Sequence, residues 1–318
     1  MARKMKTSSP QPIRCPKARC GNEELQYENG LFRCPRCGCT FRVECAGVEG
    51  PKGDCGQFSI VSLKAVEILS EINRVGGLAG FSELERVTLP EGLSQIAAGA
   101  FSGCSSLREI HIPASLNSIG DHAFSGCGLE TITLPEKLVY IGKSAFYDCK
   151  ELMSVSLMQT VRLQEGMDFR HYCRSRFKYR SSREIGKFAF ANCTKLEKLQ
   201  LSERMGRIGE GAFSGCSNLR EIGMPKEVEY IDCRAFSGCG MEVMKIPYVR
   251  RIQEEAFSDC KNLKEVVLPK GGLECLDDRA FYGCTKLERV INLPDPCEDD
   301  YFSRGKDIFE GTPFKWVW

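Results

Sequence analysis

The chain has 318 residues, 42% of them hydrophobic, and a formal net charge of +2. A charge so near zero gives no overall field that would attract nucleic acid or an anionic membrane surface. No run of about 18 apolar residues occurs, so the sequence predicts no membrane-spanning helix. The 19 cysteines fall into two groups, one near the N-terminus and one at a repeated position, and this distribution argues against a secreted disulfide scaffold.

The first residues, 1–12, form a short basic tail that contains Pro and Ser and that we expect to be flexible. Its charge is typical of the start of a signal peptide, but the apolar segment that a signal peptide also needs does not follow. We therefore expect an intracellular, cytoplasmic protein, in which thiols stay reduced.

The next segment, 13–57, contains four cysteines with the spacing of metal ligands. They form one Cys-x4-Cys and one Cys-x2-Cys pair: Cys15, Cys20, Cys34 and Cys37. Apolar and other residues alternate around Asn29-Gly30 between the pairs, which predicts a β-hairpin. A hairpin that bridges two cysteine turns brings four thiolates together, as in structural zinc sites. So short a segment cannot bury a sufficient core, and bound metal would supply the missing folding energy.

This segment resembles the zinc-ribbon family, and CPRCG at 34–38 matches the knuckle of that family closely. The first knuckle departs from it by two extra residues. The resemblance implies a structural Zn²⁺ without an open coordination position; free thiols or disulfides are the alternative. Three cysteines are then surplus, namely Cys39, Cys45 and Cys55, and Cys39 could replace Cys37 because both lie on one short turn.

Residues 58–83 contain apolar residues at three-residue intervals, from Ile60 to Val75. This spacing favours an amphipathic helix that begins at Ser59 and ends before Gly76-Gly77. The repeats that follow would otherwise expose an apolar end. We therefore predict a capping helix, with a partner-binding helix as the alternative.

From residue 84 the chain repeats one motif. Eight copies of Ala-Phe-x-x-Cys occur, and their cysteines are mostly 21–24 residues apart. Each repeat begins with Leu-x-x-Ile-x-Leu-Pro, whose alternation predicts a short strand that the proline ends. A fixed period in the twenties is typical of a solenoid with stacked parallel strands. Gly120 and its equivalents, which follow Ile, are expected to permit a backbone turn.

Residues 84–312 resemble the leucine-rich-repeat superfamily, specifically the BspA-like class built on LxxIxLPxxLxxIGxxAFxxC. The resemblance implies an α/β repeat fold: a leucine-rich-repeat solenoid with a parallel sheet over 84–318. We predict its C-terminal cap at 295–318, where Thr312 takes the place of the repeat cysteine and Trp316 and Trp318 cover the open end.

The repeated cysteines lie beside the repeated phenylalanines, and we predict that they are buried free thiols. A thiol in an apolar stack packs as a small hydrophobic group. A ladder of disulfides is the alternative, because residues one repeat apart fall within disulfide range. The intracellular setting favours the thiols.

One gap between repeated cysteines is 44 residues, which is two periods of 22. We therefore predict a degenerate repeat at 158–184. Its part 170–183 interleaves basic and aromatic residues without an acid, a composition that suits phosphate contacts and base stacking. The residues of this nucleic-acid hypothesis are Arg170, Arg174, Arg176, Lys178 and Arg180. A solvated, eroded repeat is the alternative.

The outward side chains of the strands vary in size and charge while the interior positions stay constant. Such a mixture suits a protein or peptide partner better than a polyanion. We predict a protein-interaction scaffold that binds its partner on the concave face of the solenoid. The candidate partner-binding residues are Arg86, Glu109, His111, Thr133, Lys198, Gln200, Glu221 and Lys245. The alternative is a nucleic-acid adaptor that uses the zinc ribbon and the 170–183 segment.

Catalysis finds little support in the sequence. The three histidines, at 111, 122 and 171, lie in different repeats, and no Gly-rich phosphate loop or nucleophile elbow occurs. We expect no enzymatic activity, no small-molecule substrate and no membrane partner. The BspA-like class includes surface adhesins, but we expect a different role here because the signal peptide is missing.

Overall fold

The computed structural model describes residues 11–12, 14–17, 20, 24–28, 31–45, 48–49, 56–57, 59–60, 63–68, 74–157, 184–201, 205–226, 228–294 and 302–315. Within these ranges every regular element is a β-strand. The core is a column of buried Leu, Ile, Val, Phe, Ala and Cys side chains that runs through the stack of repeats.

The N-terminal part forms short strands that lead into the stack. They are β1 (Gln11–Pro12), β2 (Glu24–Glu28), β3 (Leu31–Arg33), β4 (Thr40–Cys45), β5 (Val48–Glu49), β6 (Gly56–Gln57), β7 (Ser59–Ile60), β8 (Leu63–Ile68) and β9 (Arg74–Val75). Strands β2 and β3 form the predicted hairpin, with Tyr27 opposite Phe32. The Asn29-Gly30 turn of that hairpin lies outside the described residues.

Each repeat contributes a first strand of three or four residues and a second strand of two. In chain order they are β10 (Arg86–Thr88), β11 (Gln95–Ile96), β12 (Glu109–His111), β13 (Ser118–Ile119), β14 (Thr131–Leu134), β15 (Tyr140–Ile141), β16 (Ser154–Leu157), β17 (Glu184–Ile185), β18 (Lys198–Gln200), β19 (Arg207–Ile208), β20 (Glu221–Gly223), β21 (Tyr230–Ile231), β22 (Val243–Lys245), β23 (Arg251–Ile252), β24 (Glu265–Val267), β25 (Cys275–Leu276), β26 (Arg289–Ile291) and β27 (Ser303–Arg304). The first strands occur where the Leu-x-x-Ile-x-Leu-Pro pattern predicts them.

First and second strands form separate parallel sheets. The second strands form one uninterrupted ten-stranded sheet from β9 to β27. The first strands are divided: β14-β16-β18-β20 form one sheet and β22-β24-β26 another. Strands β10 and β12 instead belong to a seven-stranded sheet in the order β12-β10-β8-β4-β3-β2-β6. The N-terminal hairpin and the first repeats therefore share one sheet.

Both breaks between the first strands coincide with repeats that are one residue shorter. In each, a single glycine, Gly128 or Gly240, stands between the cysteine and the next apolar residue, where other repeats have two residues. A Cβ at Gly128 would collide with the carbonyl oxygen of Ser105, and one at Gly240 with that of Ser217. The shorter connection thus brings two backbones together, and the strand that follows does not pair with the first strand of the preceding repeat.

The Ala-Phe-x-x-Cys motif forms two ladders inside the stack. Consecutive phenylalanine rings from Phe101 to Phe309 stack with centroids 4.8–5.6 Å apart. From the second repeat onward, each thiol donates to the carbonyl oxygen of the phenylalanine one repeat earlier; Cys127 Sγ lies 3.1 Å from Phe101 O. The ladder cysteines are buried and not disulfide-bonded, which confirms the predicted free thiols.

The glycines after Ile have a different role from the predicted one. Gly120 does not adopt a positive φ, and neither do its equivalents Gly142, Gly186 and Gly209. A Cβ at Gly120 would lie 2.5 Å from the backbone nitrogen of Ala98 in the preceding repeat. The predicted turn is present, since the N–H of Ala123 donates to Gly120 O over 3.3 Å. The reason for glycine is the close contact between stacked backbones and not a positive φ.

The layers on the two sides of the long gap between repeated cysteines are paired with each other. Strand β16 pairs directly with β18, and β15 pairs with β17. The rings of Phe146 and Phe190 stack at 4.8 Å, so the flanking repeats are direct neighbours. The prediction of a degenerate repeat at 158–184 is therefore wrong. Residues 158–183 lie outside the described residues; in chain order they connect β16 to β17, as residues 135–139 connect β14 to β15.

The predicted capping helix over 58–83 is also wrong. The described residues of this segment include strands β7, β8 and β9. Strand β8 pairs with β4 on one side and with β10 on the other. Its buried Val66 and Ile68 alternate with the partly exposed Ala65 and Glu67. Pairing on both edges satisfies the backbone groups of the strand and outweighs a short helical periodicity, which is a weak signal.

The C-terminal end of the stack is covered by an aromatic side chain. Thr312 stands at the ladder position of cysteine, and its Oγ1 donates to Phe309 O over 2.8 Å. Phe314 packs edge-on against Phe309, with centroids 4.9 Å apart, and so covers the last ring of the ladder. The predicted capping residues Trp316 and Trp318 lie outside the described part.

Candidate metal centre and outward strand face

Four thiols converge where the first cysteine pair meets the hairpin. Their Sγ atoms all lie within 4.8 Å of one another, and the residues are the predicted ones: Cys15, Cys20, Cys34 and Cys37. The Sγ–Sγ distance is 3.5 Å from Cys15 to Cys37 and 3.6 Å from Cys20 to Cys34. A tetrahedral metal with metal–sulfur bonds of about 2.3 Å requires sulfur–sulfur distances of about 3.8 Å. The thiol set therefore fits a tetrahedral metal ion.

Tight backbone turns present these thiols. The N–H of Cys34 donates to Cys39 O over 2.9 Å, and the N–H of Gly38 donates to Cys34 O over 2.8 Å. Gly38 has a φ of 72°, a conformation that costs little only for glycine. In the first pair, the N–H of Cys20 donates to Lys17 O over 3.0 Å. The two extra residues of that pair therefore do not keep Cys20 out of the cluster.

The thiols differ in their acidity. Burial raises the pKa of Cys34, but hydrogen bonds from the N–H of Cys37 and from neighbouring thiols lower it to about 7. A hydrogen bond with Cys39, together with burial, raises the pKa of Cys15. Cys39 is thus a buried neighbour of the site that stands outside the group of four. A bound metal would hold its ligands as thiolates regardless of these shifts.

The outward face of the first strands carries the second candidate site, which we call the outward strand face. Residues on neighbouring strands lie directly opposite each other, as Arg86 and Glu109 do, or Lys198 and Glu221. The eight predicted partner-binding residues are all exposed on this face: Arg86, Glu109, His111, Thr133, Lys198, Gln200, Glu221 and Lys245. The register that the sequence predicts for these positions is therefore confirmed.

Many charges on this face are paired along the stack. Lys198 Nζ lies 3.2 Å from Glu221 Oε2, and both side chains are more than 60% exposed. Pairs so exposed contribute little to stability. The hydroxyls of Thr133 and Ser156 lie 3.0 Å apart. The face thus presents hydroxyls and charged groups of both signs, and these contribute little to the stability of the fold.

Strand β4 extends this face, which the sequence reasoning missed. Arg42 and Glu44 are exposed on β4, in the sheet that also contains β8, β10 and β12. Arg86 Nη2 lies 3.1 Å from Glu44 Oε2, and Arg42 Nη1 lies 3.2 Å from Glu67 Oε2. The alternation of apolar and charged residues at 40–45 could have predicted this strand and its exposed side.

Several predicted residues lie outside the described part of the chain, namely His171 and the nucleic-acid set Arg170, Arg174, Arg176, Lys178 and Arg180. The other histidines are exposed in different parts of the stack: His111 lies on β12, and His122 precedes Ala123. Among the described residues, no helix has the length and apolar character needed to cross a membrane.

Stacked parallel first strands, a continuous second sheet and buried Leu, Phe and Cys ladders define a leucine-rich-repeat solenoid. The family model for the BspA type leucine rich repeat region matches residues 78–176 and 183–308, in six copies. The chain therefore belongs to the BspA-type leucine-rich-repeat family. The matched residues begin after the cysteine cluster.

The chain is similar to several solved leucine-rich repeat structures. A leucine-rich repeat protein from Bacteroides ovatus ATCC 8483 is 22% identical, with a TM-score of 0.55 over 91% of this chain and 79% of that one. A leucine-rich repeat protein from T. pallidum is 25% identical, with a TM-score of 0.42 over 63% and 77%. A leucine rich cell surface protein from Faecalibacterium prausnitzii A2-165 is 19% identical, with a TM-score of 0.39 over 89% and 98%. No curated protein matches the chain.

Proposed function

We propose that the protein is a non-enzymatic scaffold that binds a protein or peptide partner on the outward strand face. The contrast between the two sides of the first strands supports this proposal. Inward positions repeat similar apolar residues layer after layer, whereas outward positions such as Glu109, Thr133 and Lys198 change from layer to layer. A solenoid thereby presents a varied surface on a constant core.

The charges of this face favour a protein partner over a nucleic acid. Binding to a nucleic acid depends on several Lys or Arg side chains, each of which neutralises a phosphate. On the outward strand face, Lys198 is paired with Glu221, and Arg289 Nη1 lies 3.0 Å from Glu265 Oε2. Mixed charges with interspersed hydroxyls and an exposed Val243 resemble the composition of protein interfaces.

A charge exchange tests the proposal. The double variant Lys198→Glu with Glu221→Lys retains an ion pair but reverses the polarity seen by a partner. We expect stability to change by less than about 0.5 kcal/mol, because both side chains are exposed. We expect the protein captured by the intact chain from nuclease-treated extract to bind the variant at least ~10-fold more weakly, since reversed charges oppose a complementary surface.

A second charge exchange is the matched control. Lys187 Nζ and Glu210 Oε2 form a 2.7 Å pair beside the second sheet, and their exchange should leave capture unchanged. Equal capture by both variants and the intact chain would contradict the proposed face. Capture that disappears on nuclease treatment would instead favour the nucleic-acid alternative.

The metal is proposed to be zinc in a structural role. Four thiolates in a tetrahedron suit Zn²⁺ and leave no position for a substrate or water. The thiol spacing and the knuckle turns support this assignment. Residues Cys15, Cys20, Cys34 and Cys37 would hold the ion, and the ion would stabilise the hairpin that they join.

The compartment is proposed to be reducing, which agrees with the expected cytoplasmic location. The ladder cysteines are not disulfide-bonded, and their thiols donate to backbone carbonyl groups instead. Disulfides are rare in such compartments. Mass spectrometry of protein from its natural host that showed neighbouring ladder cysteines joined to each other would contradict this proposal.

A further inference from the structure

At the N-terminal end of the stack, the sheet of first strands and the sheet of second strands would each have an open edge. Strand β8 is the first strand in parallel register with the repeats, and β9 is the terminal strand of the ten-stranded sheet. Open edges present unpaired N–H and C=O groups that invite fraying and wrong pairing. A solenoid therefore needs a cover at this end.

Strand β4, which pairs with β3 of the hairpin, covers the edge of the sheet that contains β8, β10 and β12. Strand β4 pairs antiparallel with β8, from Phe41 opposite Ile68 to Glu44 opposite Ala65. Phe41 is fully buried and stacks on Phe32 at 5.3 Å, so apolar contact accompanies the backbone pairing. Glu44 also contacts Arg86 on β10, which ties β4 to the repeat after β8.

The segment between the first two cysteines covers the edge of the second sheet. The N–H of Gly76 donates to Pro16 O over 2.8 Å. Lys17 forms an antiparallel bridge with Val75 of β9. Residues of the first knuckle thus lie along the terminal strand of the ten-stranded sheet.

The four thiols join these two covers. Cys15 and Cys20 flank the segment on β9, whereas Cys34 and Cys37 lie between strands β3 and β4. Both short Sγ–Sγ contacts connect one cover with the other: Cys15 with Cys37, and Cys20 with Cys34. One bound ion would therefore hold a cover on each sheet at the same time.

We propose that the four-cysteine metal site is an N-terminal lock of the solenoid, so that loss of metal opens the first repeats while the last repeats stay folded. The inference rests on the metal binding proposed above. Without metal, the short cover lacks the binding energy that folds it. Each repeat contacts chiefly its neighbours, so the effect should fade along the stack. Arg86 and Glu109 lie in the affected sheet, and the metal would thus control one end of the outward strand face.

Hydrogen exchange of the full chain tests the lock. The metal content of protein purified without chelator is measured first by elemental analysis. Exchange is then compared for the metal-bound protein, the chelator-treated protein and the treated protein after addition of Zn²⁺. We expect amide protection in β4, β8 and β10 to fall at least ~10-fold on metal removal and to return with Zn²⁺, while β22–β27 change little.

Two cysteine variants sharpen the result. Cys37→Ser should lose the metal and show the same local exchange pattern. Cys39→Ser is the matched control, because Cys39 is also buried on this turn but stands outside the group of four; it should keep the metal and the protection.

The outcomes of these experiments distinguish the proposed metal binding from the proposed lock. A purified chain without metal that gains none from added Zn²⁺ would contradict the metal binding itself. Bound metal whose removal leaves β8 and β10 protected would contradict the lock alone. Equal loss of protection in β22–β27 would also contradict the lock, because the metal would then control the whole stack.

Discussion

At the residue scale, the ladder cysteine combines two properties that the stack uses together. Its sulfur fills apolar space beside the phenylalanine rings. Its S–H donates to a carbonyl oxygen that already accepts a backbone hydrogen bond: Phe124 O accepts from the N–H of Cys127 and from Cys149 Sγ, both at 3.0 Å. Alanine would leave a small cavity and remove this second bond.

Stability should depend on pH through these thiols. Burial raises the pKa of Cys104, Cys149 and Cys216 from 9.0 to about 12. Above pH 9 the unfolded chain therefore loses protons that the folded chain retains. The free energy of unfolding should be constant with respect to these groups below pH 9 and fall between pH 9 and 12, by about 1.4 kcal/mol per pH unit for each thiol.

Urea unfolding at pH 7, 9 and 10 measures this dependence. The variant Cys216→Ala, which has one ladder thiol fewer, should show a shallower fall above pH 9 than the intact chain. Identical slopes for the two proteins would show that this thiol does not titrate with the predicted shift.

At the scale of the element, the short connection decides where first strands pair. Where a repeat has one residue fewer before its first strand, that strand does not pair with the first strand of the preceding repeat. This happens at β14 and β22, the strands that follow Gly128 and Gly240. The second strands keep their register across both positions. The stack therefore stays continuous, while the outward strand face is divided among separate sheets.

Substitution of Gly128 should lower the free energy of unfolding. A Cβ in Gly128→Ala would collide with Ser105 O, and the backbones would have to separate. We expect a loss of about 1–3 kcal/mol, the usual cost of overpacking. Urea unfolding measures it. Gly271→Ala is the control, because a Cβ at Gly271 meets no atom within 4 Å; similar losses in both variants would contradict the contact as the cause.

At the scale of the whole molecule, the layers are held together by several independent ladders. The second sheet, the phenylalanine rings and the cysteine–carbonyl bonds each continue from β15 to β17 across the long gap. In all three ladders the layers on either side of this gap contact each other directly.

A chain in which residues 135–139 replace residues 158–183 should therefore keep its stack. Both segments connect a first strand to the second strand of the same layer. The shorter connection should raise the free energy of unfolding by roughly 1–2 kcal/mol, because less loop entropy is lost on folding. Circular dichroism and urea unfolding measure the outcome, and a less stable or unfolded product would contradict the direct stacking of the two layers.

The sequence by itself determined those features that depend on local pattern. The alternation around Ile110 and its equivalents decides which side chains point inward, because a strand has a period of two. The repeated Phe and Cys positions stack because identical layers repeat one geometry. Four cysteines in two knuckles meet because the intervening hairpin is short. Their spacing predicts Cys15, Cys20, Cys34 and Cys37, whereas the choice of Cys37 over Cys39 comes from the structure.

Tertiary structure decided those features that depend on pairing between distant segments. Strand β8 has a helical spacing in sequence, and its partners β4 and β10 make it a strand by pairing with both of its edges. The 44-residue gap fits two periods, yet only the pairing of β16 with β18 shows that one layer is present. Gly120 lacks a Cβ because another backbone lies against it. In each case the deciding contact joins residues whose proximity is set by the stack and not by their order in the chain.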